Sequence, residues 1–485
     1  PVFVRPLLYF FTYKAFAVNP IFYRLGNVLF HVGTVLALYL FLFLLFNLEI
    51  AFLAAILFAV HPVLTESITW ISGGIYVVYS FFIIFSLLFY LLAKGKTTVP
   101  DKICFEKIKT LSLPANLFKN KFYNLSLVSF FLALASSEKA MVLPFLLFLL
   151  EISFFKIKKN WRKLILPFLI GATWILFYAI KIPQRRADLS YTKEAGIYNP
   201  LLQLPMSISS YLELIFFPKN LTFYHSELNI NYFEYAVMLS IIITLIILIF
   251  ISFKKNKALF FCLSFFIIAL LPVLTPFGIS WIVAERYLYL ASIGMISAFV
   301  LFVYYLTNLK KFKKFKEALY LFFALTVFLL SARTILRNQD WQNQDKLWLA
   351  TAKLSPSSPQ NRNNLGDYYG RQGDFERSIF EFKMAIKLAP NYAAAYHNLA
   401  NTYLEIGEFD LAIENYYQSL KLDPNFWQTY KSLARAYFRQ GKYDLAEQHL
   451  LKAIEFDPEN PDLPKDLLFL RQQKQEASKL EEKSK

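Results

Sequence analysis

Ten apolar runs divide residues 1–337: 20–46, 49–61, 73–93, 122–136, 139–155, 164–181, 234–253, 258–275, 286–307 and 317–333. Roughly 20 largely apolar residues suffice to cross a bilayer as a helix, which satisfies its own backbone hydrogen bonds. A single water-soluble globule is excluded, since 56% of the 485 residues are hydrophobic, 18% aromatic and only 18% charged. The second, fourth and fifth runs are short, so some are expected to be broken or interfacial.

Orientation follows from where Lys and Arg gather. Residues 94–121 carry seven lysines against Asp101 and Glu106, and the connections KIKKNWRK, KKNK and LKKFKKFK follow at 156–163, 254–257 and 309–316. Counted as ten crossings, all four fall on one side, which is then cytoplasmic. The opposite side receives residues 1–19, the HPVLTES turn at 61–67, the SSEK turn, segment 182–233 and TPFGISWIVAER at 275–286. The net charge of +17 is thereby read as topogenic charge beside anionic headgroups, not as a nucleic-acid surface. Cys104 and Cys262 lie in a lysine-rich loop and an apolar run, which speaks against a disulfide framework or a cysteine metal site. The chain opens at Pro1 without a Met or a signal-peptide pattern, as expected of a sequence lacking its natural start.

After about residue 338 the sequence turns polar and repeats with a period of 34: Gly373, Gly407 and Gly441; Leu365, Leu399 and Leu433; Pro390, Pro424 and Pro458. This is tetratricopeptide-repeat spacing. The reading is 1–337 membrane domain, 338–358 linker and half repeat, 359–460 three repeats, and 461–485 capping helix and polar tail. The fold class is all-α, a polytopic membrane helix bundle followed by an α-solenoid. Stacked helix pairs make a concave surface suited to an extended peptide, with Asn398 and Arg435 as groove candidates. Tyr396 and Tyr430 sit where the repeat carries a packing aromatic.

Ionisable residues at membrane depth are costly. The outer edge nonetheless gathers Arg5, Arg24, His61, Glu66, Glu138, Lys139, Arg185, Arg186, Glu285 and Arg286 from distant segments. Arg and Lys can hold a phosphate at headgroup level, and a carboxylate there could activate a hydroxyl or hold a divalent cation, Mg or Mn, on oxygen ligands. Such a mixture suits transfer chemistry on a lipid-linked phosphate. Each member has a plainer role too: His61 before Pro62 as a helix cap, Glu66 in a helix first turn, and Glu138–Lys139 and Glu285–Arg286 as interfacial charges. A phosphate-binding glycine loop, a GxSxG elbow and an HExxH helix are missing from the sequence.

The succession RPLLYFFTYKAFAVNPIFYRLGNVLFHVGTVLALYL, HPVLTESITWISGG, SSEKAMVLPFLLFLLE and VAERYLYLASIG, followed by the repeats, resembles the transmembrane and tetratricopeptide-repeat O-mannosyltransferases and their bacterial relatives. That resemblance implies a GT-C type glycosyltransferase taking a sugar, a hexose such as mannose, from a polyprenyl-phosphate carrier on the extracytoplasmic face of a bacterial plasma membrane. A protein hydroxyl is the implied acceptor, held by the repeats. It further implies an acidic pair in the first large external loop, upstream of Pro1. By position, His61 and Glu66, Glu138 and Lys139, and Glu285 and Arg286 match three of the family's elements. Arg286 and Lys139, with Glu285 and Arg5, would bind the donor and its phosphate. Glu66 and Glu138 would orient sugar or acceptor, with His61 positioning Glu66. The alternatives are a membrane-anchored adaptor whose repeats recruit an envelope protein, and a transporter, disfavoured because the charges sit at one edge.

Overall fold

A computed structural model describes residues 3–94, 118–155, 161–179, 200–223, 225, 231–274, 283–309 and 315–484. Cys104, Arg185, Arg186 and most of the basic stretch at 94–121 lie outside the described residues. Every regular element among the described residues is helical, and the chain divides into two compact units at Asn343/Gln344.

In the first unit each of the ten apolar runs is mainly helical over its described residues. Five helices among the described residues have the length and apolarity to span a membrane: Pro20–Leu45, Ile71–Lys94, Tyr232–Lys255, Glu285–Asn308 and Lys316–Asp340. A sixth span results if Leu48–Val60 and Pro62–Thr69, bent by 53°, count as one. Other runs, expected to include broken or interfacial segments, form shorter helices such as Leu143–Phe154 and Lys257–Leu270. Two helices, Val4–Phe16 and Pro200–Phe216, occupy stretches read as connections. The last long helix continues to Asp340, past the boundary expected at 337.

The bend at 61–62 has a local cause. Pro62 lacks an N–H and drives the residue before it out of the helical region; His61 accordingly sits at φ −71°, ψ 123°. A 3-10 turn, Pro62–Leu64, then leads into the short helix Thr65–Thr69. Two glycines seat that helix. A Cβ on Gly73 would stand 2.8 Å from the Glu66 carbonyl oxygen, and one on Gly74 2.0 Å from Asn27 Oδ1. Asn27 Nδ2 in turn donates to the Ile68 and Trp70 carbonyls at 3.1 and 3.4 Å. HPVLTES is thus wholly buried from Pro62 to Ser67, not a turn laid open at a bilayer edge.

In lipid, helices associate through close packing and interhelical hydrogen bonds. Ser86 Oγ donates to the Ser126 carbonyl at 2.8 Å and Ser126 Oγ to the Ser86 carbonyl at 2.9 Å, stitching Gly74–Lys94 to Phe118–Ser136. Gly294 brings Leu288–Asn308 against Lys257–Leu270: its Cβ would lie 2.6 Å from Cys262 O and 2.7 Å from Phe266 N. Both obstacles are backbone and cannot rotate away. Gly294→Ala is expected to destabilise the first unit by about 1–3 kcal/mol, read as a lowered unfolding temperature of detergent-purified protein; an unchanged midpoint would refute the close approach.

The second unit is the expected solenoid. Gly373, Gly407 and Gly441, at φ +78°, +86° and +74°, turn the chain between paired helices. Ala400, Ala412, Ala434 and Ala446 are buried where the helices approach, and Ser378 Oγ donates to the Gly366 carbonyl at 2.8 Å. Tyr430 packs inside, its ring stacked 5.4 Å from Phe456. Helix Leu463–Ser484 covers the last repeat with Leu463 and Leu470.

Two buried histidines make this unit acid-sensitive. Asn401 Nδ2 donates to His397 Nε2 at 3.0 Å, so the ring proton sits on Nδ1 and faces Thr429 Oγ1 at 2.9 Å. His449 lies parallel to Tyr437 at 5.4 Å. Burial lowers both to about 4, with Lys452 adding to the effect at His449. The unfolded chain therefore takes up the protons first, and stability present above the ordinary histidine value near 6.5 is lost as pH falls toward 4. Between pH 7 and 5 the excised unit 344–485 should lose about 1–2 kcal/mol per histidine in urea unfolding. His397→Asn should remove its share of that slope, and a pH-flat profile would refute the assignment.

Candidate functional site

Four short elements converge in the first unit: the 61–67 segment, the 3-10 turn Glu285–Tyr287, residues 221–223 with 225, and the last turns of Lys316–Asp340. Glu66 and Glu285 are both fully buried, so each needs a cationic partner. Arg286 supplies one. Its backbone N–H donates to Glu66 Oε2 at 2.8 Å and Nη1 to Oε1 at 2.5 Å, joining segments 220 residues apart. Its guanidinium lies 5.1 to 5.7 Å from the ring centres of Tyr287, Trp70 and Phe223, a setting that suits Arg over Lys.

Glu285, next in sequence, takes the other partner. Arg337 Nη2 donates to Glu285 Oε1 at 3.1 Å while Nη1 reaches Asp340 Oδ2 at 3.0 Å. His225 Nε2 stands 3.9 Å from the same Oε1. Burial, and then the positive charges of Arg337 and Arg286, push His225 down to about 3. It is neutral near pH 7, so this approach is not an ion pair.

Glu138 and Lys139 open a 3-10 turn capped by Ser137, whose Oγ accepts the Lys139 N–H at 3.3 Å. Their side chains pair at 3.5 Å and stay partly exposed, at 19% and 16%. Lys139 Nζ lies 5.3 Å over the Tyr76 ring, which is 5.8 Å from that of Tyr287. Two tyrosines thus connect the exposed acid–base pair to the buried one.

The structure therefore brings Glu66, Arg286, Glu285, Glu138 and Lys139 into one neighbourhood. His61 is placed differently. Its Nδ1 accepts the Val63 N–H at 3.3 Å and its Nε2 donates to the Ile215 carbonyl at 2.9 Å, so both nitrogens serve the backbone. The partner of Glu66 is Arg286, not His61. Arg5 stands 5.0 Å over the Tyr9 ring, with no ion pair recorded among the described residues. In the second unit Asn398 Nδ2 donates to Asn363 Oδ1 at 3.0 Å, and Arg435 pairs with Glu405 at 3.1 Å on the exposed surface.

Sequence reasoning missed Arg337, His225, Tyr76 and Trp70. Arg337 was legible only as the end of an apolar run before NQDWQNQD, and Tyr76 only as one aromatic among many. Among the described residues no group of three or more His, Cys, Asp or Glu could hold a divalent cation. Both buried carboxylates are already engaged by arginine, so no step here is routed through a metal.

Residues 362–425 and 397–461 match family models described as tetratricopeptide repeat. The chain is 31% identical over 128 residues to Protein O-mannosyl-transferase Tmtc2 of Drosophila melanogaster, covering 26% of this chain and 13% of that protein. It is 25% identical over 109 residues to Protein O-mannosyl-transferase TMTC3 of Homo sapiens, covering 22% and 12%. These matches span far less than two thirds of either relative. Among solved structures, one described as the crystal structure of MamA shows 26% identity with a TM-score of 0.24, covering 26% of this chain and 76% of that one. The chain is thus an all-helical protein with tetratricopeptide repeats and several apolar helices, similar over about a quarter of its length to protein O-mannosyl-transferases.

Proposed function

We propose that the protein is a membrane glycosyltransferase that moves a hexose from a polyprenyl-phosphate carrier to a protein hydroxyl outside the cytoplasm, the repeats engaging the acceptor. It would lie in a bacterial plasma membrane. The observation that carries this reading is the Glu66–Arg286 pair, buried among aromatic rings and linked through Tyr76 and Tyr287 to the more open Glu138–Lys139 pair. The similarity to protein O-mannosyl-transferases supports it.

An arginine has five N–H donors, and the Arg286 side chain uses one on Glu66. The others, with the Lys139 ammonium, would hold the carrier phosphate and neutralise the charge that grows on it as the bond from the sugar C1 to the phosphate oxygen breaks. The acceptor oxygen attacks C1 and gives its proton to a carboxylate, and the phosphate leaves on the carrier. Of the two site carboxylates not tied to Arg337, Glu138 is the more open and suits the base role, while Glu66 holds Arg286 in orientation.

Lys139→Ala is expected to lower transfer from a labelled polyprenyl-phosphate hexose by on the order of 10²-fold with little change in unfolding temperature, since its charge is partly solvated. Unchanged transfer by the folded variant would sink the phosphate role. A panel of labelled donors would name the sugar, and added chelator would reveal any metal dependence. The adaptor reading is favoured by one observation, that the repeats match family models described as tetratricopeptide repeat. It requires that no donor in the panel be consumed.

A further inference from the structure

Helix Val4–Phe16 carries a face that none of the described residues covers. Leu7, Phe10, Phe11 and Lys14 follow the i, i+3, i+4, i+7 spacing and so share one side of the helix. The first three are 50–60% exposed. The other side is held firmly: the Phe3 N–H donates to the Ala135 carbonyl at 2.9 Å, Val4 packs with Val78 and Ala135, and Tyr9 Oη donates to the Ile71 carbonyl at 2.5 Å. Ile71 follows the segment that carries Glu66, and Ala135 precedes the turn that carries Glu138 and Lys139. The helix thus lies on the side of the molecule that holds these carboxylates.

Two features of the chain name what covers the exposed face. The apolar patch continues through Val18 and Ile21 into Leu25, Leu29 and Leu36, the exposed side of Pro20–Leu45, which is long and apolar enough to cross a bilayer. Lipid that solvates this span also meets the short helix. Thirteen residues reach only about 20 Å, less than the ~30 Å of a hydrocarbon core, so Val4–Phe16 cannot cross and lies along the surface. The second feature is charge. Arg5, Lys14 and Arg24 precede the first acidic residue of the chain, Glu49. Lys14 ends the apolar stripe with Nζ 5.6 Å from the Phe10 ring centre, so its stem follows the apolar face while its ammonium extends to headgroup level. Apolar side chains joined to cations in this way suit anionic lipid.

We propose that Val4–Phe16 is an in-plane interfacial helix, seated in the leaflet on the side of the Glu66 site, with Lys14 binding the headgroup of an anionic phospholipid. A protein partner would have to displace the lipid around Pro20–Leu45 to reach the same patch. Through the Ile71 and Ala135 carbonyls the helix braces the Glu66 segment and the Glu138 turn from the bilayer surface. The proposal rests on the bilayer placement in the reading above and not on its transfer chemistry.

The test uses the whole chain in lipid nanodiscs, with a bimane fluorophore on a cysteine introduced at one exposed position at a time. Cys104 is first replaced by serine, and Cys262 is buried. The quenchers are phosphatidylcholine or phosphatidylglycerol brominated on the acyl chain, and aqueous iodide. At Phe11→Cys the brominated lipids should quench and iodide should not. At Tyr13→Cys, roughly 160° around the helix, iodide should be the stronger quencher. In equimolar mixtures with one lipid brominated, phosphatidylglycerol should be favoured about fivefold at Phe11→Cys, and adding Lys14→Gln should remove that preference. Phe11, Tyr13, Lys14 and Leu29 are all exposed, so none of these substitutions opens the core. Leu29→Cys, on the span itself, is the control. Lipid quenching there with iodide quenching at Phe11→Cys would overturn the interfacial helix, and so would protection of Phe11→Cys from both quenchers, which would place protein on the patch. Equal quenching by the two lipids with Lys14 present, or a preference that survives Lys14→Gln, would refute the role of the lysine. Absence of lipid quenching at Leu29→Cys would sink the bilayer reading itself.

Discussion

Replacing Arg286 with alanine is expected to destabilise the membrane unit by about 3–5 kcal/mol and to abolish transfer. The large stability effect arises because Glu66, fully buried, would keep its charge without a counter-charge, and breaking a buried pair from one side is far more damaging than removing both members. The Arg286 backbone N–H would still donate to Oε2, which limits the damage but does not neutralise it. The double variant Arg286→Met with Glu66→Leu should recover much of the stability while remaining inactive. Unfolding temperatures of the two singles and the double, in one detergent, give the coupling between the residues. Additive effects would show that the pair does not hold the site together, and an active double variant would remove it from the chemistry.

The second large effect lies at the C-terminal end of helix Gly74–Lys94, whose first turn carries Tyr76. Lys94 closes Gly74–Lys94 by pairing with Glu151, and Tyr90 Oη donates to the same Glu151 oxygen at 2.6 Å. Glu151 is fully buried, and the Lys94 ammonium is nearly so, 4.7 Å over the Tyr90 ring. Glu151→Ala would strand a buried ammonium and a tyrosine hydroxyl at once, costing about 3–5 kcal/mol. Lys94→Met combined with Glu151→Leu should melt close to wild type, because packed apolar side chains of similar volume replace such pairs well. A 21-residue helix is about 31 Å long, so this cluster is remote from Glu66. Transfer per folded molecule should therefore stay at the wild-type level in the double variant, whereas every substitution at Arg286 lowers it. A double variant as unstable as Glu151→Ala would show that the charges are needed for more than each other.

The repeat unit was the most legible part of the chain. Its period places glycines at left-handed turns and small residues at helix contacts, and local geometry needs nothing else to specify it. The apolar runs were legible as helices but not as crossings. Hydropathy reports that a segment is apolar; whether it extends for a full span depends on breaks such as Pro62 and on charged flanks, and the long helices among the described residues number five or six. Val4–Phe16 and Pro200–Phe216 escaped notice because their mixture of apolar and polar residues follows no run long enough to register.

At the site, the residue types were visible and the pairing was not. HPVLTES placed His61 and Glu66 five positions apart, which suggested partners; the bend at Pro62 turns His61 toward the Ile215 carbonyl and leaves Glu66 for Arg286. The same applies to Glu285 and Arg286, which read as one acid–base neighbour pair but face different segments across the 3-10 turn. Sequence alone thus determined an all-helical chain, the repeats, and a set of charged residues gathered near HPVLTES, because periodicity, hydropathy and charge are carried by neighbouring residues. Only the tertiary structure decided which carboxylate meets which arginine, because those contacts join residues 52 to 220 positions apart, and the buried charges leave each chain element no freedom to pair otherwise.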